Sequence, residues 1–130
     1  MSKNFLRIAF IFAFLAVALG AFAAHGLKAH LSEYQLSIFK TGVRYQFFHV
    51  FAIIGAYLLS GHLSPKFCRW ASICFTIGIL LFSGSLYGLS CHELLGIENK
   101  SILGPLTPIG GLFFLVGWGM LLVGSFIKND

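Results

Sequence analysis

The sequence predicts an all-α fold: a bundle of four transmembrane helices, with a short amphipathic helix lying at the membrane interface between the first two. Three observations predict it. Four stretches of the 130-residue chain are almost purely apolar, and each is close to the roughly 20 residues an α-helix needs to cross a hydrocarbon core about 30 Å thick. The hydrophobic fraction is 58% and the charged fraction 10%, against roughly 25% charged in soluble domains, so too little polar surface remains to coat a water-soluble globule. Fifteen Phe add bulk suited to lipid tails.

The first span covers 5–24, FLRIAFIFAFLAVALGAFAA. Lys3, Arg7 and the Ala21-Phe22-Ala23 run also fit a signal peptide, but the apolar stretch exceeds the roughly 7–15 residues of such a region. Ala9, Ala13, Ala16, Gly20 and Ala24 form a small-residue stripe, useful only in a helix that stays and packs. The span is therefore expected to be retained. In the segment 27–40, Leu27, Leu31, Tyr34 and Ile38 recur at helical spacing, while Lys28, Glu33 and Lys40 lie mostly off that face. This predicts an interfacial helix, with a plain connector as the alternative.

The second span is expected over 42–60. The third, 65–90, opens with Ser64 as N-cap and Pro65 at the first helical position, and its length implies tilt or protrusion. The fourth, 108–127, repeats the device with Thr107 and Pro108. Gly110, Gly117 and Gly124 are seven apart on it. Together with the stripe on span one they form seams that invite a homo-oligomer, the alternative being that glycine is merely common in membrane helices. Orientation follows from the cations. Lys3, Arg7, Lys66, Arg69 and Lys128 fall on one side. Lys28, Lys40, Arg44 and Lys100 fall on the other, beside Glu33, Glu93 and Glu98. The positive-inside rule then places both termini in the cytoplasm.

Net charge is +5, but the cations sit at span ends rather than in a stripe, which argues against nucleic acid. Cys68, Cys74 and Cys91 make no CxxC and leave one over, so neither a zinc site nor a disulfide framework is indicated. There is no GxSxG, no HExxH and no carboxylate within a span. No catalytic residue, metal site or cofactor is assigned.

Polar groups inside a bilayer cost several kcal/mol on some scales and ask for a reason. At about 100° per residue, Tyr45, Gln46 and His49 share one face of span two. Arg44 lies off that face, and two readings stand for it: snorkelling toward headgroups, or direct binding of an anionic lipid phosphate. Ser72, Thr76, Ser83, Tyr87 and Ser90 form a second polar stripe on span three, read first as glue between helices. In a four-span hairpin chain, the end of span one, the start of two, the end of three and the start of four share a side. His25, Arg44, Tyr45, Gln46, His49, Ser83, Ser85, Tyr87 and Thr107 are thus the candidate ligand- or lipid-binding residues. Tyr45, Gln46, His49, Ser83 and Tyr87 are expected to line one shallow polar pocket, with His25 at its rim.

The segments GAFAAHGL at 20–27, VRYQFFH at 43–49, LFSGSLY at 81–87 and GPLTPIGG at 104–111 carry a resemblance. In order and spacing the chain resembles the YgdD-like family of small, uncharacterised bacterial inner-membrane proteins, which has distant eukaryotic relatives. Ala24 stands where that family more often has glycine. The resemblance implies a multi-pass inner-membrane protein and implies no activity. Three readings of function follow: a non-enzymatic bundle that handles lipid or a small solute or assists membrane-protein assembly; a membrane enzyme; or a haem or quinone carrier using His25 and His49.

Overall fold

The computed structural model describes residues 1–127; Lys128, counted above for orientation, lies outside them. Five α-helices are present: α1 (Asn4–His25), α2 (Glu33–Leu59), α3 (Pro65–Gly78), α4 (Gly84–Ser90) and α5 (Leu103–Phe126). A five-residue π-helical segment, Ile79–Ser83, joins α3 to α4 into one rod, and a 3₁₀ turn, Leu27–Ala29, follows α1. Four helical units, the α3–π–α4 rod counted as one, are long and apolar enough to cross a membrane. No strand occurs among the described residues.

The segment 27–40 is not a separate helix. It divides into the 3₁₀ turn and the first turns of α2, which has 27 residues. The cause is a capping box. Ser32 Oγ accepts from the Gln35 amide at 3.1 Å, and Gln35 Oε1 accepts from the Ser32 amide at 3.0 Å. Two of the N–H groups at this helix end are thereby satisfied. Leu31 before the cap and Leu36 after it pack on the same small core of Ala23, Leu27 and Phe39, fixing the angle at which the chain enters α2. Helix α2 is consequently about 40 Å long, some 10 Å more than a hydrocarbon core.

The start of α5 also differs from expectation. The helix begins at Leu103, so Pro105 occupies its first turn, Pro108 lies inside the helix, and Thr107 is not a cap. Pro65 does hold the first position of α3, but Ser64 makes no side-chain capping bond.

Helix α1 rests chiefly on α2, and α5 chiefly on α3, with α2 also packed along the α3–π–α4 rod. Without a hydrophobic drive between helices in lipid, close packing of small residues has to hold them. Ala9, Ala16 and Ala23, seven apart on one face of α1, are all fully buried. On α5, a Cβ added to Gly117 would meet the Phe75 ring at 2.5 Å, and one added to Gly124 would meet Phe67 Cβ at 2.8 Å. The glycine seam of α5, and Ala9 and Ala16 of the seam expected on α1, are thus packed against the chain's own helices, while Ala24 is exposed. The main core joins Ala9 of α1 to Val50 and Ile53 of α2, Ala71 and Phe75 of α3, Ile79 of the π segment and Phe114 of α5.

Candidate functional site

Because α2 starts at Glu33, Gln46 and His49 stand near its middle, about 20 Å along the helix from its first residue. They are therefore deeper in the bundle than a start at 42 would place them. Both are almost fully buried. Gln46 ties three helices together: its Nε2 donates to the Phe12 carbonyl of α1 at 2.7 Å, and its Oε1 accepts from the Tyr87 hydroxyl of α4 at 2.7 Å. The Tyr87 ring can reach across because Gly42 lies beneath it; a Cβ there would be 2.7 Å from the ring. The Gly42 carbonyl in turn accepts from Ser83 Oγ at 2.7 Å.

Ser85 faces the other neighbour. Its hydroxyl lies 2.9 Å from the Phe82 carbonyl and 2.6 Å from Thr107 Oγ1 on α5. Ser83 and Ser85 are two residues apart, about 200° around the helix, so they face α2 and α5 respectively. A π turn takes up about one extra residue, which rotates everything after it relative to a straight α-helix. The stripe expected along span three is broken accordingly. Ser72 and Thr76 bond back to the carbonyls of Cys68 and Ser72 within α3, and only Ser83 and Tyr87 reach α2.

His49 is held from three directions. Its Nδ1 lies 2.7 Å from the Tyr45 carbonyl, an acceptor only, so Nδ1 carries the proton. The lone pair of Nε2 then accepts from the Trp118 indole N–H at 3.2 Å. The ring lies flat on Phe114, with centroids 3.5 Å apart and planes within 5°. Both ring nitrogens are engaged, so His49 has none free for an axial haem bond, and His25, exposed at the end of α1, does not join it. Arg44 is exposed too and stands apart from the cluster.

The expected single polar pocket is therefore resolved into interhelix ties, in which Gln46, Ser83, Ser85, Tyr87 and Thr107 spend their polar atoms on other helices. Tyr45 and His49 border something different. Between α2 and α5, both leaning on the α3–π–α4 rod, runs a laterally open groove of about 700 Å³. Tyr45, Phe48 and His49 line it from α2, Phe82 from the π segment, and Leu112 and Trp118 from α5. Among the described hydrogen bonds the Tyr45 hydroxyl has no partner. Trp118, Phe114 and Phe82 escaped sequence reasoning because aromatic residues in a membrane span carry no signal of their own; Trp118 falls one turn beyond Phe114 on α5, the only hint available.

Comparison with known proteins gives a coherent result. Residues 19–111 match the model of a family described as "Protein of unknown function (DUF423)". The chain is 44% identical over 126 residues to a UPF0382 membrane protein of Haemophilus influenzae, covering 97% of this chain and 96% of that protein. It is 37% identical to a UPF0382 membrane protein of Staphylococcus aureus over 95% of this chain and 96% of the relative. It is also 37% identical to the UPF0382 inner membrane protein YgdD of Escherichia coli, over 96% of this chain and 92% of the relative. No solved structure matches the chain.

Proposed function

This chain belongs to the DUF423 family of membrane proteins, and we propose that it is a non-enzymatic bundle that holds the apolar part of a lipid-like molecule in the groove between α2 and α5. One observation carries the reading. The groove has the volume of a ligand site, within the 300–1,000 Å³ common for such sites, and its apolar wall bears a single polar pair, His49 with Trp118. The polar ties hold α1, α2, α4 and α5 to one another beside the groove, and His49 with Trp118 bridges α2 to α5 at its wall. The Tyr45 hydroxyl at the groove offers an occupant one hydrogen bond, since an unpaired hydroxyl in hydrocarbon is costly.

The bundle sits, on this reading, in a bacterial inner membrane, as the name of YgdD says of that relative. Both termini face the cytoplasm on the positive-inside rule, with Lys3, Arg7, Lys66, Arg69 and Lys128 on their side against Lys28, Lys40, Arg44 and Lys100 on the other. Exposed Arg44 meets anionic headgroups at the end opposite the termini.

Gly111 supplies the test. It borders the groove, and a Cβ there would stand 3.9 Å from the Phe82 ring, an ordinary contact. Gly111→Leu therefore projects into the groove without forcing the helices apart. Native mass spectrometry of protein released from its own membranes should show a lipid-sized adduct on the wild type that Gly111→Leu loses, with helix content unchanged. Identical adduct patterns on both proteins would refute the proposal.

A further inference from the structure

We infer that the cleft at the start of α3 is a second site, separate from the α2–α5 groove, that binds the headgroup and part of one acyl chain of an anionic phospholipid. Two cavities meet there. One, of about 450 Å³, lies between Met1 and the first turns of α3, bordered by Lys66, Arg69 and Trp70. The other, of about 230 Å³, is apolar and runs between α3 and α5, bordered by Phe67 and Met120. Lys66 and Trp70 border both. Two cations thus border one cavity beside an apolar slot, an arrangement that fits a phosphate attached to a hydrocarbon chain.

Charge decides the kind of lipid. Lys66 and Arg69 are exposed, and neither has a hydrogen-bond or ion-pair partner among the described residues. The described carboxylates, Glu33, Glu93 and Glu98, belong to the start of α2 and the loop after α4, at the other end of the bundle. Lys3 and Arg7 add positive charge at the same end as Lys66. Two cations with no carboxylate beside them among the described residues favour a net-negative headgroup over a zwitterionic one, and basic pockets between transmembrane helices recognise such groups. The slot distinguishes a lipid from a dissolved anion. Trp70, half exposed, offers the amphipathic ring that settles at a membrane interface. Met120 supplies a flexible, adaptable wall for a hydrocarbon chain.

Tryptophan fluorescence tests this directly, because the chain has two Trp and Trp118→Phe leaves Trp70 as the only reporter. The variant is reconstituted in phosphatidylcholine vesicles containing a small, equal fraction of brominated phosphatidylglycerol or brominated phosphatidylcholine. Brominated phosphatidylglycerol should quench Trp70 more strongly. Each cation near an anionic surface is worth about a fivefold preference, so Lys66→Gln with Arg69→Gln should weaken selectivity by roughly twenty-fivefold. Equal quenching by the two lipids, or selectivity that survives the double substitution, overturns the site. Excess inorganic phosphate at constant ionic strength should leave the preference in place; if phosphate abolishes it, the cleft takes a free anion and the lipid assignment falls. Should Trp118→Phe not fold, the comparison runs on the unsubstituted protein, where Trp70→Phe must remove the phosphatidylglycerol-dependent component.

Discussion

Gly110 is a position where facing main chain leaves no room for a side chain, and Gly110→Ala measures how firmly α5 is set against the π segment. A Cβ built there would lie 2.8 Å from both Cα and Cβ of Phe82, and closer still to the Phe82 amide nitrogen. Ordinary contacts begin near 3.4 Å, so the helices must separate by more than half an ångström. The obstacle is main chain and cannot rotate away. Overpacking of this kind costs about 1–3 kcal/mol, partly offset by the helix preference of alanine over glycine, worth up to about 1 kcal/mol. Gly119→Ala isolates the second term, because nothing lies within 4 Å of a Cβ at Gly119 on the same helix. In reversible unfolding by sodium dodecyl sulfate, followed by circular dichroism, Gly119→Ala should be neutral or slightly stabilised. Gly110→Ala should fall below it by about 1–3 kcal/mol. If Gly110→Ala equals or exceeds Gly119→Ala, the close approach of Gly110 to Phe82 is not what holds α5 in place.

Two further outcomes test the polar ties. Removing either partner of the Gln46–Tyr87 bond orphans the other, so Gln46→Leu and Tyr87→Phe should each destabilise the fold, while the double variant loses less than their sum; the coupling should be about 0.6 kcal/mol and at most about 1.7, and a coupling of zero would refute the bond. Nitrogen NMR of ¹⁵N-histidine-labelled protein should show His49 protonated at Nδ1 and bare at Nε2, with the Nε2 signal shifting in Trp118→Phe; protonation at Nε2 would contradict its acceptance of the Trp118 indole proton.

The four spans were readable from the sequence because hydrocarbon demands long apolar runs and little else in a chain produces them. Gln46, His49 and Tyr87 were also identifiable, since polar groups in such runs have to find partners. Their depth was not. It depends on where α2 begins, and that is fixed by Ser32 and Gln35, whose S-x-x-Q spacing is a legible capping signal hidden within a polar segment that also fits an interfacial helix. The π segment left no trace at all. Ile79, Leu80, Leu81, Phe82 and Ser83 are residues any α-helix accepts, and the segment lies against the bare backbone at Gly110. Thr107 looked like a cap because it precedes a proline, yet the helix already starts at Leu103, which frees the Thr107 hydroxyl to meet Ser85.

The ties explain why a groove can persist in so small a bundle. Helices in lipid gain little from burying one more leucine, since the tails they displace are equally apolar. A gap between α2 and α5 therefore costs less than it would in water, provided the helices on either side are anchored elsewhere. Gln46 anchors α2 to α1 and α4, Ser83 anchors the rod to α2, and Ser85 with Thr107 anchors the rod to α5. The glycines of α5 then draw it against α3 and the π segment rather than toward α2. The polar side chains that first suggested one pocket tie the helices around the groove, which is walled by Tyr45 and His49, named from the sequence, and by Phe82, Phe114 and Trp118, which were not.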